Sequence, residues 1–411
     1  MKIKKNISEI IILFGVLALL SYSCDPIMYN DSQRYIDGSS IDPPLFFIII
    51  NIMLSLFGNL QSVIIFQTLL IGFSILYFTR TMSDIFNFDN SIKIIVSLFL
   101  FIPIIQFYNN LLTEPIGYAF SLLFVSFVIK LIYNFNIQNL LWTSVFVLAL
   151  LLLRIQFIFL YPLILLIFLG ILIQNKSKKT FTWLTICFLS IFLINNSFQV
   201  LNKHIYQKQN LNNTNKDLVG YGPYYFTYID SIYISTLKDA KLFENENIRK
   251  TITKIFEEMN TQKKSIEYYD GRGHFGLSFS AIRDNSHFKL IDLATQENTS
   301  VIELKEKISK TLISQNFGKY VKLIFKRFYD STWLFVFVPF FMMLAALIGF
   351  LKFKSKLSLV IIFISMFSLA NHSIVYLFGR VQPRYLIYTD FILLVFIFML
   401  FSIFLQKKNN I

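Results

Sequence analysis

The chain has 411 residues, 55% of them hydrophobic, with 47 Phe, 21 Tyr and only 15% charged. That balance excludes an ordinary soluble domain and describes a polytopic membrane protein. The formal net charge of +14 does not point to nucleic acid, because the positive residues lie at the ends of apolar segments. Anionic lipid and the positive-inside rule account for them there.

In chain order, Met1–Cys24 opens with Lys2, Lys4 and Lys5 and continues into an apolar run that resembles a signal peptide. Ser21–Ser23 lacks the small-residue pattern of a cleavage site, so the segment is expected to stay as a signal anchor. A first external loop follows over 24–61, carrying Asn30-Asp31-Ser32-Gln33-Arg34-Tyr35 and then Asp42-Pro43-Pro44. Acids and bases kept together at a membrane surface are candidates for chemistry or binding. Asp25, Asp31, Asp37 and Asp42 crowd this loop, some of them as solvated turn residues, and Asp31 and Arg34 are the expected pair. Pro44–Phe57 is too short for a span and reads as an interfacial helix.

Spans are expected near 62–79, 92–107, 116–133, 139–153, 155–173, 181–198, 332–351, 357–376 and 385–405, after the first at 7–23. The expected fold is therefore all-α and polytopic: about ten transmembrane helices, an interfacial helix, and a small external, mostly helical domain between spans seven and eight. Residues 1–199 form the N-terminal membrane module, 200–330 the external domain and 331–411 the C-terminal module. With both termini inside, the cytoplasmic face collects lysines such as Lys93, Lys178, Lys354 and Lys407. The short external loops collect Arg34, Arg154, Arg380 and Arg384, although only 9 of the 38 basic residues are arginine. Snorkelling at the membrane edge explains a charge there, but the preference for the guanidinium fork suits phosphate.

Thr113-Glu114-Pro115 places an acid at an external boundary, where it either binds a cation, hydroxyl or arginine or simply starts a helix. In the insertion, Ile248, Ile252, Ile255, Phe256 and Met259 share one helical face, and Ser300-Val301-Ile302-Glu303 is a capping box. Asn316–Ser331 reads as a basic amphipathic helix lying on the membrane, with Phe317, Val321, Ile324, Phe325 and Phe328 as its apolar residues. Tyr221, Tyr224, Tyr225 and Tyr228 read as an interfacial aromatic belt, with sugar stacking as the alternative. Gly271–Gly276 matches G-x-G-x-x-G but follows no apolar strand, so it reads as a turn. Cys24, Cys187 and four scattered histidines offer neither a disulfide framework nor paired ligand spacing. No cofactor is called for, with a divalent metal left open.

Taken together, the acidic first loop, the Asp42-Pro43-Pro44-Leu45-Phe46 entry, Leu112-Thr113-Glu114-Pro115, Arg154 between two close spans and Gly379-Arg380-Val381-Gln382-Pro383-Arg384-Tyr385 resemble the GT-C superfamily. The likeness is to bacterial relatives of the protein mannosyltransferases and aminoarabinose lipid A transferases. It covers about 1–175 and 317–400 and departs at Ser32, where the family often has a second acid, and at Asp42, where a lysine is common. The resemblance implies an inverting glycosyltransferase of the bacterial inner membrane, with its active site on the extracytoplasmic side. The donor would be a sugar on a polyprenyl phosphate, and the acceptor a glycolipid, polysaccharide or protein. Asp31 would be the base, Glu114 would position the acceptor or an arginine, and Arg34, Tyr35, Arg154, Arg380 and Arg384 would bind substrate. An O-antigen-type polymerase and a lipid or oligosaccharide transporter are the alternatives.

Overall fold

A backbone inside lipid has no water to bond, so apolar runs of this kind satisfy themselves as helix. The computed structural model is 85% helix and forms no strand among the described residues. It describes residues 7–38, 42–210, 224–268, 272–330, 334–377 and 385–389. The helices are α1 (Ile7–Tyr22), α2 (Asn30–Asp37), α3 (Leu45–Phe57), α4 (Gln61–Phe86), α5 (Asn90–Phe101), α6 (Thr113–Tyr133), α7 (Ile137–Leu153), α8 (Leu160–Asn175) and α9 (Lys178–Asn210). They continue as α10 (Tyr225–Ile234), α11 (Glu246–Thr261), α12 (Arg272–Gln296), α13 (Val301–Gln315), α14 (Phe317–Asp330), α15 (Leu334–Phe353) and α16 (Lys356–Leu377).

Among the described residues, six helices are long and apolar enough to cross a membrane: Gln61–Phe86, Thr113–Tyr133, Ile155–Asn175, Lys178–Asn202, Val336–Phe353 and Lys356–Leu377. The segments expected near 7–23, 92–107 and 139–153 form shorter apolar helices of 10–17 residues, as does Leu45–Phe57. At about 1.5 Å per residue, such helices fall short of a hydrocarbon core of about 30 Å. The expected span at 385–405 lies outside the described residues except for 385–389.

The chain divides into two compact units. The first takes Met1–Gln209, Phe337–His372 and Pro383–Ile411; the second takes Asn210–Val336 and Ser373–Gln382.

Within the first unit α6 is the central helix, packed by α4 and α7. Contacts between helix ends show how consecutive long helices alternate. At one end Glu9 of α1 pairs with Arg80 of α4 at 2.7 Å, and Lys356 Nζ donates to Tyr133 O at 2.6 Å. At the opposite end Gln61 Nε2 donates to Asp25 Oδ1 at 2.8 Å, and Tyr108 Oη donates to Ser23 O at 3.1 Å.

Between α5 and α6 the helix stops. Pro103 has no N–H to continue the ladder, and only a short 3-10 turn, Ile102–Ile104, follows α5. The irregular stretch after it is buried, with Asn110, Leu111 and Leu112 almost inaccessible. Its backbone groups need partners inside the protein. Gln67 Nε2, from the second turn of α4, donates to Tyr108 O and to Asn110 O at 3.1 Å. Ile27 N donates to Asn109 O at 2.9 Å, and Leu111 N to Ile27 O at 3.1 Å. This single parallel bridge ties the first loop to the start of α6.

The second unit has its own core. The five apolar positions of α11 read from the sequence are its buried residues, and Ser300 with Glu303 caps α13 reciprocally. Two readings change. Tyr225 and Tyr228 are core residues here and form no interfacial belt; Tyr221 lies outside the described residues. Arg272–Gly276 opens α12 and is helical, so the glycine run is no free turn; Gly271 lies outside the described residues.

Lys305 of α13 is 3% exposed, with its Nζ 5.2 Å from the Tyr225 ring centroid. Burial pushes its ammonium down from 10.5 to about 8. The unfolded chain keeps that proton up to 10.5, so between about 8 and 10.5 it binds more protons than the fold, and stability rises with pH across that window. Lys305→Met removes the buried charge. In the full chain in detergent it is expected to raise the thermal midpoint at pH 7 by a few degrees. It should also flatten the alkaline rise, as read by circular dichroism. A midpoint unchanged at pH 7 would show that the ammonium is solvated in the fold.

Candidate functional site

The loop after α1 becomes a short helix because Ser32 closes its first turn. Tyr29 N donates to Ser32 Oγ at 2.9 Å, and Ser32 N to Tyr29 O at 2.9 Å. The same Ser32 Oγ donates to Leu111 O at 2.8 Å. A serine is needed here to accept and donate at once, where a carboxylate could only accept. Ser32 thus attaches α2 to the irregular stretch before α6. Gly38, at φ +79°, ends the helix in a conformation costly for other residues.

Asp31 and Arg34 lie one turn apart on α2, with Arg34 Nη1 3.7 Å from Asp31 Oδ1. The tighter partner is Asp42. Arg34 Nε donates to Asp42 Oδ2 and Nη2 to Oδ1 at 3.1 Å, a two-point grip that matches the planar guanidinium. The expected Asp31–Arg34 pair is therefore secondary, since a residue eight positions on can meet the fork edge-on. Asp31 remains at the rim, its side chain 30% exposed. Asn202 Nδ2 of α9 donates to Asp42 O at 3.1 Å. Arg34, Tyr35, Asp42, Pro44, Phe47 and Asn202 line a small pocket with about 10 Å³ of accessible space, about enough for one water molecule.

The second centre is Glu114, 1% exposed in the first turn of α6, where the helix dipole favours an anion. Arg154 occupies the extended break after α7 and places Nη1 2.9 Å from Glu114 Oε1. The same Nη1 donates to Tyr388 Oη at 2.8 Å, and the guanidinium carbon lies 4.5 Å from the Tyr385 ring centroid. An amide cluster holds the two tyrosines. Gln156 Nε2 donates to Asn371 Oδ1 at 2.5 Å and to Tyr385 O at 2.9 Å. Asn371 Nδ2 donates to Thr389 Oγ1 at 3.1 Å. Gly117 makes room for the ring: a Cβ there would sit 2.7 Å from Tyr388 Cε1.

Tyr35 joins the two centres. Its ring meets Phe46 edge-on at 5.3 Å and clusters with Leu112, Ile116 and Leu153, the apolar neighbours of Glu114 and Arg154. Burial raises its phenol above the usual range; Arg154 opposes the rise, and Asp42 and Glu114 add to it. The first unit thus brings Asp31, Arg34, Tyr35, Glu114 and Arg154 into one electrostatic neighbourhood. Arg380 and Arg384 lie outside the described residues.

Asp42, Asn202, Gln156, Asn371, Tyr388 and Gly117 were not singled out from the sequence. Asn371 carried a usable signal, an amide deep in an apolar run. Tyr385 and Tyr388, three apart after an arginine, carried another. Compared with known protein families, curated proteins and solved structures, the chain matches none.

The buried pair makes a measurable demand. Glu114→Ala leaves the Arg154 charge without its carboxylate, a loss of about 3–5 kcal/mol for a buried pair. Arg154→Met in that background should recover most of it. Thermal unfolding of purified protein in detergent reads both; a single variant as stable as the parent would mean the pair is hydrated.

Proposed function

We propose that the protein is an integral membrane glycosyltransferase of GT-C type, transferring a sugar from a polyprenyl-phosphate donor to an extracytoplasmic acceptor. The observation that carries this reading is the pair of arginine–carboxylate centres joined through Tyr35. The ends of α1, α5 and α7 and the starts of α4 and α6 contact one another in pairs. Lysine sorting, more than length, suits about ten crossings, with α1, α5 and α7 as short spans across a locally thinned bilayer and α3 lying at the surface. Lysine-rich ends at Lys176–Lys179 and Lys352–Lys356 are then cytoplasmic and the site extracytoplasmic, in a bacterial inner membrane.

In the reaction, an acceptor oxygen attacks the anomeric carbon as the bond to the lipid phosphate breaks, with inversion. Asp31 takes the hydroxyl proton. It suits that role better than Asp42, whose two oxygens are both engaged by Arg34. Arg34 and Arg154, held by Asp42 and Glu114, stabilise the negative charge that gathers on the departing phosphate. Arg380 and Arg384 would add to that anion site. Membrane lipids surround the helices, and no cofactor enters the scheme.

Purified protein supplied with polyprenyl-phosphate sugars tests the chemistry. Asp31→Asn is expected to lower transfer by about two or more orders of magnitude, with donor binding intact and Asp37→Asn nearly unaffected. Arg154→Lys keeps the charge, loses the fork and should weaken donor binding. A fully active Asp31→Asn protein would shift the reading to a polymerase working through arginines.

Topology is tested separately by single-cysteine labelling with an impermeant reagent in intact cells. Positions beside Lys178 and Lys354 should be protected and a position at Asn260 labelled. Labelling at Lys178 from outside would overturn the orientation and the side assigned to the site.

A further inference from the structure

The helix before α15 does not use the apolar face that its sequence suggests. On α14, Leu323 is fully buried and Arg327 is 3% exposed. Arg327 grips Asp230 of α10 through two nitrogens, with Nη1 to Oδ2 at 3.0 Å. Phe328 meets the Tyr376 ring at 4.8 Å, and Tyr320 packs against the core of the second unit. These contacts fix the helix about its axis and decide which residues remain outside.

Two large aromatics remain outside. Phe325 is 69% exposed and Tyr329 76%, with exposed Lys319 and Lys322 on the same stripe. Positions 319, 322, 325 and 329 fall at the three- and four-residue spacings that share one helical face. Large exposed aromatics rimmed by cations mark an interaction surface. The combination of rings and ammonium groups fits an interface of acyl chains and anionic headgroups.

Chain continuity supports the same occupant. Asp330 ends α14 and Leu334 begins α15, which contains the candidate span Val336–Phe353. The link between them reaches at most about 14 Å, at about 3.6 Å per residue. A helix tethered this closely to a crossing segment has the bilayer surface within reach.

We infer that the outward stripe of α14 is a docking surface for anionic lipid. Phe325 and Tyr329 enter the boundary between headgroups and acyl chains, and Lys319 and Lys322 meet the lipid phosphates. Arg327, locked to Asp230, sets the rotation and takes no part in lipid contact. This inference does not depend on the enzymatic reading.

The full chain, with Cys24 and Cys187 changed to serine, is placed in lipid nanodiscs with a nitroxide at Phe325→Cys. Collision with oxygen and with a water-soluble nickel chelate is measured in phosphatidylcholine alone and with added phosphatidylglycerol. Oxygen access is expected to exceed chelate access severalfold once anionic lipid is present. The excess should fall in Lys319→Glu/Lys322→Glu and at high salt. A nitroxide at Ile302→Cys, on the exposed side of α13, supplies the water-facing reference. Chelate access at 325 equal to that at 302 would overturn the inference. So would a label shielded from both probes, which would mean that protein covers the stripe.

Discussion

A buried carboxylate and a mostly buried guanidinium at the end of an apolar bundle constrain everything near them. Neither Glu114 nor Arg154 could be left alone there, because an unpaired charge in low dielectric costs several kcal/mol. Each therefore needs its partner delivered to within hydrogen-bond distance by a different helix. α6 delivers the acid at its first turn, and the break after α7 delivers the base. Tyr388 then accepts a further hydrogen bond from Arg154, and the Gln156–Asn371 amides anchor the neighbouring Tyr385 backbone. Gly117 is glycine because the ring of Tyr388 lies where a Cβ would be.

The same need for satisfaction explains the first loop. When Pro103 interrupts α5, a stretch of backbone is exposed inside the bundle with its amides unpaired. Gln67, Ile27 and Ser32 each bond it. Two of those three belong to the loop after α1, so the repair of a broken helix also draws α2 against the start of α6. Arg34, Asp31 and Tyr35 ride on α2, and Tyr35 arrives within electrostatic reach of Glu114 and Arg154 as a consequence. Backbone satisfaction and the assembly of the site are one event in this fold.

Much of this was legible in advance. Composition and apolar run length fixed a helical membrane protein, and the periodicity of α11 named its buried face residue by residue. Asp31, Arg34, Tyr35, Glu114 and Arg154 stood out because charge is rare in such a chain. The partner of Arg34 was less legible, since Asp42 looked like one of several loop acids until the fold brought it edge-on to the guanidinium. The outward face of α14 was hidden for a related reason. Its apolar pattern is real, but an arginine inside that pattern meets a buried aspartate from a helix far back in the chain.

The sequence by itself determined what depends on local composition: helix, apolar length, the lysine and arginine bias, caps and the scarcity of charge. Those are properties of a residue and its near neighbours, so no fold is needed to read them. Tertiary structure alone decided which acid meets which base, which glycine yields to a ring, and which side of an amphipathic helix stays outside. Each of these rests on contacts between residues distant in sequence, such as Arg154 with Tyr388 or Arg327 with Asp230. Such pairings follow from how helices pack, and no spacing along the chain encodes them.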